Sequence, residues 1–115
     1  FHSRLLTPAG ERLAEALATV PLREAQVPVV SNVTADYVTR PDEIRRLLVE
    51  QVSRPVLWEA SIRRMIADGV DTFVEVGPSR TLTGFLRKID KGVRALHVED
   101  PASLGRVLDS LGRVC

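Results

Sequence analysis

The chain has 115 residues, 44% of them hydrophobic and 27% charged, which is the size and composition of one globular domain or a piece of one. Sixteen basic residues stand against fifteen acidic ones, with the arginines scattered among carboxylates and few aromatics for base stacking, so nucleic acid is not an expected partner. The single cysteine, Cys115, excludes a disulfide framework and a cysteine-ligated metal site, and no apolar run approaches the ~18 residues of a membrane span.

Thr7-Pro8 reads as an N-cap followed by proline, opening a helix with Leu13, Leu17 and Val20 at helical spacing and Pro21 as its end. Val27 to Val33 is short, β-branched and bounded by turn formers, which predicts a buried strand entered at Pro28, with the turn out at Ala35-Asp36. Asp42 and Glu43 after Pro41 suit a helix N-terminus, Ile44, Leu47, Leu48 and Val52 form its apolar stripe, and Pro55 stops it. Trp58, Ile62, Met65 and Ile66 mark the next helix, with Gly69 at its left-handed cap.

Thr72 to Val76 reads as a strand, Gly77-Pro78 as its exit turn, and Leu82, Phe85, Leu86 and Ile89 as a helical stripe. Val93 to Val98 is a third strand, and Asp100-Pro101 caps a last helix with Leu104, Val107, Leu108 and Leu111 on one face. Strands alternating with helices predict an α/β fold with a parallel sheet. Three strands are few for such a sheet, so it is expected to be incomplete.

Of the two histidines, His97 sits inside a predicted strand and reads as structural, whereas His2 lies off regular structure, where scaffolds display catalytic groups. Ser3 reads as a turn or capping residue, and no serine occupies a G-x-S-x-G elbow, so the chain is not expected to carry a nucleophile. The loop from Gly77 to Gly84 matches neither the Walker nor the Rossmann pattern; it reads as a tight turn bent by Pro78, with Ser79 available as a cap. Glu50, Glu59 and Glu75 show no paired spacing and read as solvated.

Phe1-His-Ser3, Pro28 to Val33, Leu48 to Trp58 (with Gln51-Val-Ser-Arg-Pro55), Phe73 to Pro78 and Leu82-Thr-Gly84 occur in an order and spacing that resemble malonyl-CoA:acyl carrier protein transacylase, over essentially all 115 residues. The resemblance implies acyl transfer in two steps for fatty acid biosynthesis. A serine in a G-H-S-x-G elbow takes malonyl from malonyl-CoA and passes it to the phosphopantetheine thiol of acyl carrier protein. His2 matches the family's general base, and Gln51 the residue whose backbone carbonyl orients that imidazole. No cofactor and no metal are implied, malonyl-CoA being the substrate. The arginine that pairs with the malonyl carboxylate lies upstream in the family, and neither Arg4 nor Arg54 matches it.

The resemblance further implies that residues 1–115 form the C-terminal segment of an α/β-hydrolase-like acyltransferase domain. Residues 1–7 would be the active-site loop returning from a small ferredoxin-like subdomain, and an N-terminal half of the same enzyme would be the missing partner. The start at Phe1 instead of Met is consistent with that expectation, and the segment alone is expected to be inactive. Phe1 before His2 is the form associated with malonyl selectivity, though excluding one extra methyl gives only ~10–200-fold discrimination. Cytoplasmic localisation and no membrane partner are expected. A polyketide synthase acyltransferase domain and a non-catalytic binding module are the alternatives, the first disfavoured by Gln51 and Gly77.

Overall fold

The computed structural model describes residues 2–112. They form two compact units, one up to Arg64 and one from Met65, divided within a helix. The first unit contains a short 3-10 turn (Arg4–Leu6), α1 (Thr7–Leu17), β1 (Val29–Val30), β2 (Tyr37–Val38), α2 (Pro41–Gln51) and most of α3 (Trp58–Ala67). The second contains β3 (Thr72–Val76), α4 (Thr81–Ile89), β4 (Arg94–Val98) and α5 (Pro101–Ser110).

In the first unit α1 packs against α2. Gly10 is buried at this crossing; a Cβ there would lie 3.4 Å from the Val49 carbonyl oxygen and 3.9 Å from Val52 Cβ. The missing side chain lets the N-terminal part of α1 rest on the C-terminal end of α2. At the other end, Arg45 of α2 donates from Nε to the Leu17 carbonyl at 3.0 Å and from a terminal nitrogen to the Val20 carbonyl at 2.9 Å. A cation thus caps the C-terminal end of α1, sharing the Leu17 carbonyl with the Val20 N–H, which reaches it at 3.1 Å. The helix stops at Leu17, short of Pro21, and Thr7 is not its cap: the Thr7 hydroxyl donates back to the Arg4 carbonyl at 2.7 Å, while Leu6 holds the cap position.

The stretch around Val27–Val33 differs most from expectation. Only Val29 and Val30 are strand, and they pair antiparallel with Val38 and Tyr37 instead of joining a parallel sheet. Ser31 N–H bonds to the Asp36 carbonyl and Ala35 N–H to the Ser31 carbonyl, both at 2.9 Å, with Ala35 in the left-handed region at φ 55°. That tight turn consumes the residues a longer strand would need. Val33, Val38 and Leu47 form the buried cluster, with Ile44 packed on it, and Arg64 bridges to Asp36 at 3.0 Å while lying over the Tyr37 ring.

The second unit follows the expected alternation. At the end of α3, Val70 N–H bonds to the Met65 carbonyl and Gly69 N–H to the Ile66 carbonyl, with Gly69 at φ 99°, the paired bonds of a Schellman cap. β3 and β4 are parallel and in register from Thr72↔Arg94 to Val76↔Val98. α4 and α5 pack on β4, burying Leu86 and Val107, while Val76 of β3 stays 79% exposed. Two strands with an exposed edge residue are an incomplete parallel sheet. Asp100 and Ser103 form a reciprocal capping box at the start of α5, and hydrogen bonds from the Ser103 amide and hydroxyl hold the Asp100 carboxyl below its ordinary range.

Glu75 is not a solvated carboxylate. From β3 it accepts the Thr83 N–H at 2.9 Å, the Thr83 hydroxyl at 2.8 Å and the Leu82 N–H at 3.2 Å, capping α4 from a neighbouring strand; Ser79 does not cap. Burial pushes the Glu75 pKa up, but these hydrogen bonds and nearby His97 outweigh it and hold the carboxyl below the usual carboxylate range. A depressed folded pKa contributes stability above the unfolded value of about 4.3, and that stability is lost as pH falls through the folded value. Chemical-denaturation midpoints measured from pH 7 down to pH 2 should therefore fall less steeply for Glu75→Gln than for the parent below about pH 4. Parallel curves would show that Glu75 contributes nothing to the acid response.

Candidate active site

The structure brings His2 and Gln51 together across 49 positions of sequence: His2 Nδ1 lies 2.7 Å from the Gln51 carbonyl oxygen. A carbonyl can only accept, so Nδ1 carries the proton, and the lone pair of the neutral ring is left on Nε2. His2 is in the left-handed region at φ 59°, a rare conformation for a residue with a side chain, held here by the ring's bond to α2 and by the 3-10 turn beyond it. Ser3 caps that turn, its hydroxyl oxygen accepting the Leu5 N–H at 3.2 Å, as its sequence context suggested.

Local sequence explains why the Gln51 carbonyl is available. In a continuing helix its donor would be the N–H four residues on, and that residue is Pro55, which has none and whose ring clashes with the carbonyl at i−4. The helix ends at Gln51, with Val52 N–H turning back to the Val49 carbonyl and Ser53 N–H to the Glu50 carbonyl, both at 3.2 Å. Packing of α1 at Gly10 against Val49 and Val52 then carries the upstream segment to this same helix end.

Asn32 was not singled out from the sequence. Its Nδ2 donates to Gln51 Oε1 at 3.3 Å, and its carbonyl accepts the Leu57 N–H at 2.9 Å. The only signal for it was a position in the S-N-V stretch before a turn, which reads equally as turn chemistry. Beside this pair lies a cleft of about 240 Å³ lined by Val29, Val30, Asn32, Leu47, Leu48 and Gln51 among others. None of its lining residues is charged, so it offers no charged partner to a carboxylate.

Elsewhere the chemistry is structural. His97 lies in β4, its Nε2 4.0 Å from Glu99 and without a hydrogen bond. The Gly77–Gly84 loop has its free amides occupied by the chain's own carboxylates: Glu75 at Leu82 and Thr83, and Glu99 at Ser79, 3.2 Å away. Glu50 pairs with Arg46 and Glu59 with Arg63, both as exposed i,i+4 bridges. Among the described residues no group of three or more His, Cys, Asp or Glu could hold a metal ion. Phe1 and Cys115 lie outside the described residues.

No protein-family model matches the chain. It is 40% identical over 111 residues, 96% of its length, to malonyl CoA-acyl carrier protein transacylase of Bacillus subtilis (strain 168). The solved malonyl CoA-acyl carrier protein transacylase of Clostridium perfringens superposes on 98% of the chain with a TM-score of 0.90 at 42% identity. The chain is homologous to malonyl CoA-acyl carrier protein transacylases along its length.

It spans 35% of the Bacillus subtilis transacylase and 36% of the Clostridium perfringens one. A malonyl-transacylase solved in complex with its holo type II PKS acyl-carrier protein shares the fold over 95% of this chain and 35% of its own, with a TM-score of 0.89 at 35% identity. The α/β class and the short parallel strands between helices thus agree with the fold of solved transacylases.

Proposed function

We propose that the chain is the histidine-bearing segment of a malonyl-CoA:acyl carrier protein transacylase of fatty acid biosynthesis. Residues 1–115 form the C-terminal part of its catalytic domain, and residues 1–7 are the active-site loop returning from a small subdomain. The observation that carries this reading is the 2.7 Å contact between His2 Nδ1 and the Gln51 carbonyl, in a chain homologous to transacylases. The nucleophilic serine, the oxyanion-hole amides and the arginine for the malonyl carboxylate belong to the rest of the enzyme, as do further strands of the sheet.

In the first step His2 Nε2 takes the proton of the serine hydroxyl as its oxygen attacks the thioester carbonyl of malonyl-CoA. The carbon–sulfur bond breaks, CoA leaves as its thiol with the proton from His2, and malonyl remains as a serine ester. In the second step the phosphopantetheine thiol of acyl carrier protein gives its proton to Nε2 and attacks the ester, and the proton returns to the serine oxygen. The Gln51 carbonyl keeps the ring in the tautomer that leaves Nε2 basic and stabilises the imidazolium, a dipole in the place of the carboxylate used by serine hydrolases. Cytoplasmic localisation belongs to this proposal; no helix among the described residues is long and apolar enough to cross a membrane.

A chimera tests the reading: this sequence replaces the segment it matches in the Bacillus subtilis relative, and malonyl transfer from malonyl-CoA to holo acyl carrier protein is measured. Transfer by the chimera, and none by the 115-residue chain alone, is the expected result. A folded chimera that binds malonyl-CoA without transferring it would overturn the proposal, and transfer by the isolated chain would overturn the assignment of the serine to other sequence.

A further inference from the structure

His2 is steered by a backbone carbonyl, and a carbonyl points where its peptide plane is held. The Gln51 carbonyl lies at a helix end where Pro55 removes its own N–H donor, so the helix holds that peptide from the other side, through the Val52 N–H that turns back to the Val49 carbonyl at 3.2 Å. Helix ends fray unless tied down. Two contacts converge on this one, both from Asn32. Its side-chain amide donates to Gln51 Oε1 at 3.3 Å, and its main-chain carbonyl accepts the N–H of Leu57, just beyond Pro55, at 2.9 Å. Asn32 therefore holds the α2–α3 connection on both sides of the proline.

Asn32 is itself placed by the tight turn between β1 and β2, in which the neighbouring Ser31 is buried, bonds through its N–H to the Asp36 carbonyl, and accepts the Val33 N–H on its hydroxyl oxygen at 3.2 Å. The contact is thus anchored in the core cluster of Val33, Val38 and Leu47. We infer that Asn32 and the Gln51 side chain form a positioning clamp that fixes the Gln51 carbonyl on His2 Nδ1, giving the glutamine side chain a task separate from that of its backbone. Neither side chain touches the reacting atoms. This inference rests on the His2–Gln51 pairing used in the proposed function, but its first readout needs no catalysis.

The test is the tautomer of the neutral His2 ring, read from its ¹⁵N shifts and long-range couplings in the labelled 115-residue chain. The parent is expected to hold the Nδ1–H form. Asn32→Ala and Gln51→Ala should each shift the ring to a mixture with the Nε2–H form, and the double variant should do no more than either alone, because both remove one contact. Asn32→Asp should restore the parent signature, since the Gln51 amide can turn and donate its N–H to the carboxylate.

In the chimera the same alanine variants should lower kcat on the order of 2–10-fold with KM unchanged, the effect of one hydrogen bond felt in the transition state. A tautomer that stays Nδ1–H in both alanine variants, or effects that add in the double variant, would overturn the clamp. If Asn32→Ala fails to fold, Gln51→Ala decides alone, because alanine is well tolerated at a helix end. A parent ring already in mixed tautomers would also overturn it. A chimera with parent residues that transfers nothing, alongside the expected tautomer shifts in the 115-residue variants, would instead remove the catalytic reading and leave the clamp.

Discussion

His2→Ala in the chimera is expected to lower malonyl transfer by ~10²–10⁴-fold, the usual contribution of a positioned general base. The loss should fall on both steps, because the same nitrogen deprotonates the serine and then the phosphopantetheine thiol. Stopped at short times, the variant should therefore accumulate little malonyl-enzyme. His2 also ties the upstream segment to α2 through its 2.7 Å bond, so the comparison needs a fold control. His2→Gln can keep a donor toward the Gln51 carbonyl but supplies no base. Equal losses in both variants, with unchanged thermal midpoints, assign the effect to chemistry; transfer near the parent rate would end His2's role.

The second large effect lies eight residues away from the histidine. Gly10→Leu should destabilise the chain by about 1–3 kcal/mol, because the added side chain meets backbone and Val52 where α1 crosses α2. It should also part the helix whose N-terminal end leads to His2 from the helix that ends in Gln51, so the ¹⁵N signature of Nδ1–H should weaken even in molecules that remain folded. Gly10→Ala is the milder comparison: its Cβ would sit 3.4 Å from the Val49 oxygen, at the limit of ordinary contact, while alanine favours the helix. An unchanged melting midpoint for Gly10→Leu would mean that the helices have room to separate without cost.

Local order in the second unit was largely legible in the sequence. Thr72–Val76 is strand over the residues predicted from the run before the Gly77-Pro78 turn, and Asp100-Pro101 opens α5 with a side-chain cap. The misread features turn on which partner a group finds once the chain has folded, whether close by, as when the Thr7 hydroxyl bonds back to Arg4 and caps nothing in α1, or on a neighbouring element. Val29–Val30 has β-branched character that fits either a parallel or an antiparallel neighbour, and only the Ser31–Asp36 turn decides between them. Glu75 looks solvated until β3 and α4 are adjacent, when its carboxylate becomes the cap that Ser79 was expected to supply.

The candidate site divides along the same line. Pro55 was readable as a helix stop, and a free carbonyl near position 51 follows from elementary helix geometry. That His2 meets this carbonyl came from the resemblance alone, since no periodicity connects residues 49 apart. The buried Gly10 that allows the meeting carried no visible signal, being one small residue inside an amphipathic pattern. Asn32 was hidden in a motif that serves turns as often as sites.

An experimental structure of the chimera decides whether His2 can act as the base, because a base must first be within reach of the proton it takes. His2 Nε2 is expected within about 2.6–3.2 Å of the elbow serine oxygen, with Nδ1 still on the Gln51 carbonyl. A folded chimera whose Nε2 faces away from that serine, with the Gln51 contact intact, would contradict that role.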